Sequence, residues 1–343
     1  MPAGPMEFNI TWFSPIEPGD WVRQLMSLSY LYIEAASLDG NSHSVQVYSD
    51  ADGEWLSGDQ SLKMQWKTVA NSDIMYHQAN LINETYFEEI QQQAQWGTVY
   101  YGMKINPGVT YKIGLDKDCR DQFVNIGQLD LAVDPDFRPI SNPYTVFAIA
   151  ADLGTISSTQ RPVVWAIGLT RDPALSYVDL GGIQQNRSLY YQQNYTDDTS
   201  LVAEFLDDFP NARQRADQLD AKILSDARAM SSDYVDLVSY VVRQVYGMIE
   251  LTASKNPDGS SNTSDVMMFM KNIGGAAENG STVPIVKLGG PLLEPLLRFQ
   301  DSATYNPYVV IQGHRIQSRK EAIPRISKAL NVCILFFFIL QLI

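Results

Sequence analysis

The sequence predicts a β-plus-α protein: an N-terminal antiparallel β-sandwich followed by an incomplete α-hairpin region. Three observations lead there. Residues Leu25 to Ser37 and Val45 to Ser49 alternate between apolar and polar and are enriched in β-branched and aromatic types. Short runs of the same kind recur through the first two-thirds of the chain. Near Asp198 the apolar spacing changes from two residues to three or four.

In the first run, Ser27, Ser29 and Glu34 interleave with Leu28, Tyr30 and Ile33, which gives one wetter face and one core face. Leu38-Asp-Gly-Asn-Ser42 supplies a turn, so the two runs are expected to pair as a hairpin. Further strands are expected at Leu62 to Val69, Ile74 to Leu81, Gly97 to Ile105, Tyr144 to Ala150, Pro162 to Leu169 and Arg187 to Gln192, separated by Asn, Gly, Pro and Asp clusters. Many short strands at that spacing favour a sandwich. No internal repeat of fixed period is present.

From Leu201 the stripe Leu201, Phe205, Phe209, Ala212, Ala216, Leu219, Ile223, Ala227 and Met230 describes one face of a helix. Pro210 interrupts it and predicts a kink or a restart, because proline lacks the backbone donor. Ser232 or Asp233 is expected to cap a second helix that buries Leu237, Val238, Val241, Val245, Met248 and Ile249. Two shorter helices are expected at Asn262 to Lys271 and Pro291 to Gln300. The resulting division is residues 1–197 for the sandwich, 198–230 for a linking helix, 231–308 for a partial helical domain and 309–343 for a basic and then apolar tail.

Composition removes several function classes. A chain of 343 residues has room for a full core, and its formal net charge of −14, without a basic tract interleaved with aromatics, argues against nucleic acid as a partner. Cys119 and Cys333 form no CxxC pair. The three histidines, His43, His77 and His314, are scattered, are expected as surface or hairpin residues, and make neither a zinc motif nor a triad. Asp50, Asp52 and Glu54 have the alternate spacing of a calcium loop but lack its Gly and terminal Glu, so a solvated turn is expected there. Asp207 with Asp208, and Asp233 with Asp236, have the form of acid/base pairs but are expected instead on exposed helix faces or as N-terminal charges favoured by the dipole. P-loop, nucleophile-elbow and dinucleotide motifs are absent from the sequence, and neither cofactor nor metal is expected. Trp55, Trp66, Trp96 and Trp165 fit core packing first and a sugar-binding face second.

Six Asn-x-Ser/Thr sequons, at Asn9, Asn83, Asn186, Asn194, Asn262 and Asn279, suit a secreted glycoprotein. The first residues, MPAGPMEFN, carry neither the basic nor the apolar region of a signal peptide. At the other end, Arg315, Arg319, Lys320, Arg325 and Lys328 precede NVCILFFFILQLI. That apolar run of about a dozen residues falls short of the roughly 20 that span a bilayer as a helix. A tail anchor or lipid-anchor signal is one expectation for it, and non-native sequence from a shifted frame or intron read-through is the favoured one.

Three long blocks carry a resemblance. Phe13 to Trp55, VFAIAADLGTISSTQRPVVWAIGLTRDPALSY (Val146 to Tyr177) and SSDYVDLVSYVVRQVYGMIELTASKNPDGSSNTSDVMMFMKNI (Ser231 to Ile273) are similar to the fungal glutaminase A family, with a likeness over most of Met6 to Ile273. The resemblance implies a β-supersandwich domain followed by a six-helical-hairpin domain. It also implies an extracellular enzyme that hydrolyses the side-chain amide of L-glutamine. Relative to that pattern a further N-terminal β segment is missing, a loop after Gly280 is shortened, and similarity stops after Tyr308. The sandwich is therefore expected to lack strands, and the chain alone to have little or no activity. Asp265, in the matching NTSD run, is the first candidate catalytic residue, with a helix N-cap as its alternative role. Asp152, in ADLG, is the second, with a strand-end turn as its alternative. The competing functions are a carbohydrate-active protein on the same architecture and a non-catalytic sandwich module or gene-model fragment.

Overall fold

A computed structural model describes residues 1–91, 93–178, 181–271, 282–286 and 337–342. The expected helix at Pro291 to Gln300, the sequon at Asn279, His314, Cys333 and the basic stretch from Arg315 to Lys328 lie outside the described residues. The chain divides into two compact units, residues 1–13, 28–170 and 332–343 in the first, and 14–27 and 171–331 in the second.

The first unit is a β-sandwich. Its strands are β1 (Pro2–Ala3), β2 (Met6–Phe13), β3 (Leu28–Ser37), β4 (His43–Asp52), β5 (Met64–Ala70), β6 (Ile74–Leu81), β7 (Glu89–Ile90), β8 (Gln93–Ala94), β9 (Thr98–Lys104), β10 (Val109–Leu115), β11 (Thr145–Ile156), β12 (Val163–Thr170) and, near the end of the chain, β18 (Phe337–Leu342). One antiparallel sheet runs β1-β2-β3-β12-β9-β6-β5 and the other β10-β11-β4-β18, with β7 and β8 a separate two-stranded ribbon. Leu31, Ile33, Met75, Val99, Tyr101 and Trp165 of the first sheet pack against Val45, Val47, Ala51, Phe147, Ile149 and Ala151 of the second. Trp66, Trp96 and Trp165 are all buried, as core packing requires.

The expected hairpin between the first two runs does not form. β3 pairs with β2 and β12, whereas β4 pairs with β11 and β18, so the turn at Leu38 to Ser42 carries the chain from one sheet to the other. Alternation reports which residues face inward and says nothing of which strand lies alongside.

The far face of the smaller sheet is covered by a helix that the apolar spacing does not reveal. Helix α2 (Asp116–Ile126) buries only Cys119 and Phe123, too sparse a stripe to register as a period. Asp116 and Asp118 favour its N-terminal turn, and Gly127, at φ 72°, ends it in the left-handed conformation. Cys119 and Phe123 meet Tyr48, Leu129, Val146, Ala148 and Ala150 in a second small core. Burial there pushes the Cys119 thiol up to about 12, which makes it an inert packing group.

Among the described residues the second unit has a five-stranded sheet, β13 (Leu175–Val178), β14 (Gln184–Leu189), β15 (Ile249–Lys255), β16 (Ser261–Lys271) and β17 (Thr282–Val286), and three helices, α1 (Trp21–Gln24), α3 (Asp198–Arg228) and α4 (Ser232–Met248). Asp197 caps α3 by accepting from Ser200 N at 2.9 Å, and Pro210 lies inside one continuous helix. The expected stripe is buried from Leu201 to Ala212, but Met230, beyond the helix end, is 70 % exposed. Ser231, one residue before the expected caps, caps α4 through Tyr234 N, and Leu237 is half exposed rather than buried. The helix expected at Asn262 to Lys271 is instead strand β16. Turn Asn256-Pro-Asp-Gly259 folds it back on β15, and cross-strand pairing overrides the ambiguous apolar run Val266 to Met270.

The segment Ser14–Ser27 is fastened to α3 by charge. Arg215 grips Glu17 through Nε at 2.9 Å and Nη2 at 2.7 Å, and Asp208 accepts from both Arg23 (2.9 Å) and Arg215 (2.5 Å). Asp208, expected on an exposed face, is only 8 % exposed. Burial raises its pKa, but the hydrogen bonds and charges of Arg215 and Arg23 outweigh that and hold the carboxyl below its ordinary range.

His77, expected as a surface or hairpin residue, lies in the β5–β6 hairpin but faces inward, where it is a polar link between the two sheets of the sandwich. It is fully buried on β6, its Nε2 is 3.2 Å from the Ala148 carbonyl and its Nδ1 is 2.8 Å from Thr68 Oγ1. A carbonyl only accepts, so Nε2 carries the proton and Nδ1 accepts from the Thr68 hydroxyl, which is the neutral imidazole. Burial lowers its pKa to about 4. A depressed imidazole pKa means that the unfolded chain takes up the proton first as pH falls. The stability contributed by neutral His77 is therefore present above about pH 6.5 and is lost between there and about 4. Chemical unfolding followed across this window should show that loss in the unaltered chain and its removal in His77→Gln.

Candidate functional site

The two residues singled out from sequence belong to different units, and each sits where a break in strand register sets its side chain. In β11 the pairing with β4 shifts between Asp152 and Thr155. Asp152 Oδ1 accepts from Gly154 N at 2.9 Å and from Gln46 Nε2 at 3.0 Å. Its main-chain oxygen lies 2.2 Å from where a Cβ on Gly108 would stand, so only glycine permits this approach. The carboxylate thus fixes a bulge within β11, which continues to Ile156, in place of the strand-end turn that is its alternative role.

Asp265 is in a bulge of β16. Pairing steps from Ala253↔Val266 to Ser254↔Asn262, so Thr263, Ser264 and Asp265 have no residue opposite them in β15. This replaces the helix N-cap expected for Asp265. Beneath it lies Arg187 of β14, with 0 % exposure. Arg187 donates to Thr252 Oγ1 (2.9 Å), Gln185 Oε1 (3.2 Å), Asp265 Oδ2 (3.2 Å), the Thr252 carbonyl (3.2 Å) and the Asp265 carbonyl (2.8 Å). The whole donor capacity of a guanidinium is used inside the sheet, while the Asp265 side chain keeps 26 % exposure. The arrangement fixes a carboxylate at the surface of β16 through both its side chain and its own main chain.

Around this pair the same sheet holds further charge. Asp172 accepts from Ser188 Oγ at 2.5 Å and from Lys255 Nζ at 3.1 Å, and Arg171 meets Glu250 at 3.0 Å. Ser188 is 1 % exposed, so its hydroxyl is a structural donor rather than a nucleophile. Arg187 and Asp172 carried no sequence signal beyond being single charges. Their role is set in large part by partners as far as 83 residues away.

The first unit contains a cluster that the calcium-like spacing touched without describing. Asp50, expected in a solvated turn, is 0 % exposed and Glu54 is 8 % exposed. Arg120 of α2 takes both Asp50 oxygens, at 2.8 and 3.2 Å, and Tyr48 donates to Oδ2 at 2.7 Å. Glu54 Oε1 accepts from Gln60 Nε2 (2.7 Å) and Tyr144 OH (3.2 Å). Burial, together with the charges of Glu54 and Asp50, raises the Asp52 carboxyl to about 7. Among the described residues no three His, Cys, Asp or Glu side chains converge as a metal site. His43, by contrast, lies at the edge of the fold with Nε2 2.9 Å from Asp39.

Both charge clusters make measurable demands on stability. Arg187→Ala should lower stability by about 3–5 kcal/mol and Asp265→Asn by less, since the amide retains an acceptor; denaturant midpoints measure both. For Asp52 the folded pKa lies above the unfolded one, so its contribution is present below about pH 4 and is lost as pH rises through about 7. Asp52→Asn should remove that decline and leave the opposite, His77-dependent loss on acidification as the dominant slope in the same unfolding series.

A model for a domain of unknown function, DUF5127, matches residues 1–226. Glutaminase A of Aspergillus oryzae is 30 % identical over 320 residues, covering 89 % of this chain and 45 % of that protein. A probable glutaminase of Arthroderma benhamiae is 28 % identical over 331 residues, covering 88 % of this chain and 36 % of that protein. The chain thus spans less than half the length of the curated relatives it matches. With the match to the family model running over the sandwich and on into α3, the chain belongs to the DUF5127 family and resembles fungal glutaminases.

Proposed function

We propose that this chain is the scaffold-bearing part of an amidohydrolase of the glutaminase A type, whose small-molecule substrate is L-glutamine and whose products are L-glutamate and ammonia. The observation that carries this is the alignment of nearly nine-tenths of the chain with a protein named glutaminase A. In this reading Asp265, fixed by Arg187, is the acidic residue that meets the substrate, and Asp152 supports the sandwich. A carboxylate held this way is suited to orienting a cationic or amide donor group of the substrate. The division at residues 197, 230 and 308 belongs to the same reading, with the helical region beginning at Asp198 and continuing in the family's full-length chain.

The sugar-binding alternative loses its best feature, because three of the four tryptophans proposed for it are buried. An extracellular location is part of the proposal. Asn9, Asn83, Asn186 and Asn194 are exposed and available to carry glycans, and among the described residues no helix is long and apolar enough to cross a membrane.

A protein of the relatives' full length that contains this chain should release ammonia from L-glutamine in a coupled assay. Asp265→Ala should reduce kcat/KM by about 100-fold or more, in the range seen when a positioned acidic group is removed. Ammonia release at the level of a no-enzyme control would overturn the assignment, and full activity in the Asp265→Ala protein would overturn the role of that residue.

A further inference from the structure

We infer that Asp52 and Glu54, with the side-chain amide of Gln60, form a site for a hard divalent cation of the calcium type at the end of β4 in the first unit. The fold keeps only half of the calcium-like spacing seen in the sequence. Asp50 turns to Arg120, which takes both of its oxygens and also meets Asp116 at 3.2 Å. Asp52, the last residue of β4, and Glu54, the first of the short helical turn Glu54–Leu56, remain as a pair of carboxylates. Among the described residues neither of them makes an ion pair with Lys or Arg.

Oε2 of Glu54 is buried and has no hydrogen-bond donor, in a residue only 8 % exposed. A buried carboxylate oxygen left in that state is costly, and a cation is a partner that removes the cost. The surrounding bonds fix the carboxylate in place. Glu54 Oε1 accepts from Gln60 Nε2 at 2.7 Å and from Tyr144 OH at 3.2 Å, while Glu54 N donates to Asp52 Oδ1 at 3.0 Å. Gln60 Oε1, the third side-chain oxygen, lies 3.4 Å from the same Tyr144 hydroxyl. Burial, and then the charges of Glu54 and Asp50, make ionised Asp52 expensive, and a cation between the two carboxylates offsets that repulsion. The donors are all oxygen, without His or Cys, which favours a hard ion over zinc. Asp52, Gln60 and Tyr144 are half-buried, so an ion and its remaining waters have a way in. Calcium tolerates irregular shells of roughly six to eight oxygens and fits this set better than magnesium; with water completing the shell, its Kd falls on the order of 0.1–1 mM.

Thermal unfolding of the intact chain tests the site, with calcium chloride as the probe and sodium chloride at equal ionic strength as the reference for screening of the net charge of −14. At about 10 mM calcium the midpoint should rise by about 3 °C or more above the reference and fall back with excess chelator. Asp52→Asn and Glu54→Gln each remove one charge while keeping shape and an acceptor oxygen, so both should fold without calcium and lose most of the rise. A midpoint no higher in calcium than in the reference would overturn the site, and this arm needs no variant. A full rise kept in either variant would assign the ion to other acidic surface and overturn it equally.

Discussion

A strand buried on both faces has no place for an ionised side chain unless a counter-charge is brought to it, and β4 carries Asp50 in its interior. The bidentate grip of Arg120 meets that demand, and Arg120 stands on α2, whose Cys119 and Phe123 close the small core behind the sheet. Position, charge and packing are therefore one arrangement. The aspartate requires the arginine, the arginine fixes the helix, and the helix excludes water from the aspartate. Breaking such a pair leaves the buried partner uncompensated, which is why its loss exceeds the small net worth of the intact pair.

The same logic recurs in the second unit. Arg187 is wholly inside a sheet, Glu17 is 4 % exposed, and each is satisfied by groups from distant parts of the chain. The protein is acidic overall, and Arg23, Arg120, Arg187 and Arg215 each collect more than one carboxylate or carbonyl. These clusters help to order the segment Ser14–Ser27 and the bulge at Thr263 to Asp265.

How much of this was legible in the sequence depends on whether the cause was local. Ile74 to Leu81 reads as a strand and is one, and the stripe from Leu201 to Ala212 reads as a buried helix face and is one, because alternation and 3.6-residue spacing are properties of the segment alone. The partners of β3 and β4 were not legible, since pairing is decided across the whole sandwich. Val266 to Met270 reads as helix because an unbroken apolar run has no period, and only pairing with β15 resolves it. Buried polar residues were the least legible. Asp50, Glu54, Asp208 and His77 look like surface residues until Arg120, Tyr144, Arg215 and Ala148 are known to lie beside them. Asp265 is marked by its NTSD run, but Arg187, which holds it, stands 78 positions away and has no motif to mark it.

The residues between β2 and β3 belong to the second unit, while those two strands are neighbours in the first. The polypeptide therefore passes into the second unit and back before it finishes the sandwich, and passes into it again after Thr170. Two units threaded in this way cannot be inherited, exchanged or cut apart at a single point in the gene. Any recombination that kept β1 to β12 and replaced the chain from Arg171 onward would leave Glu17 and Arg23 facing a foreign surface and would take β18 from the sandwich.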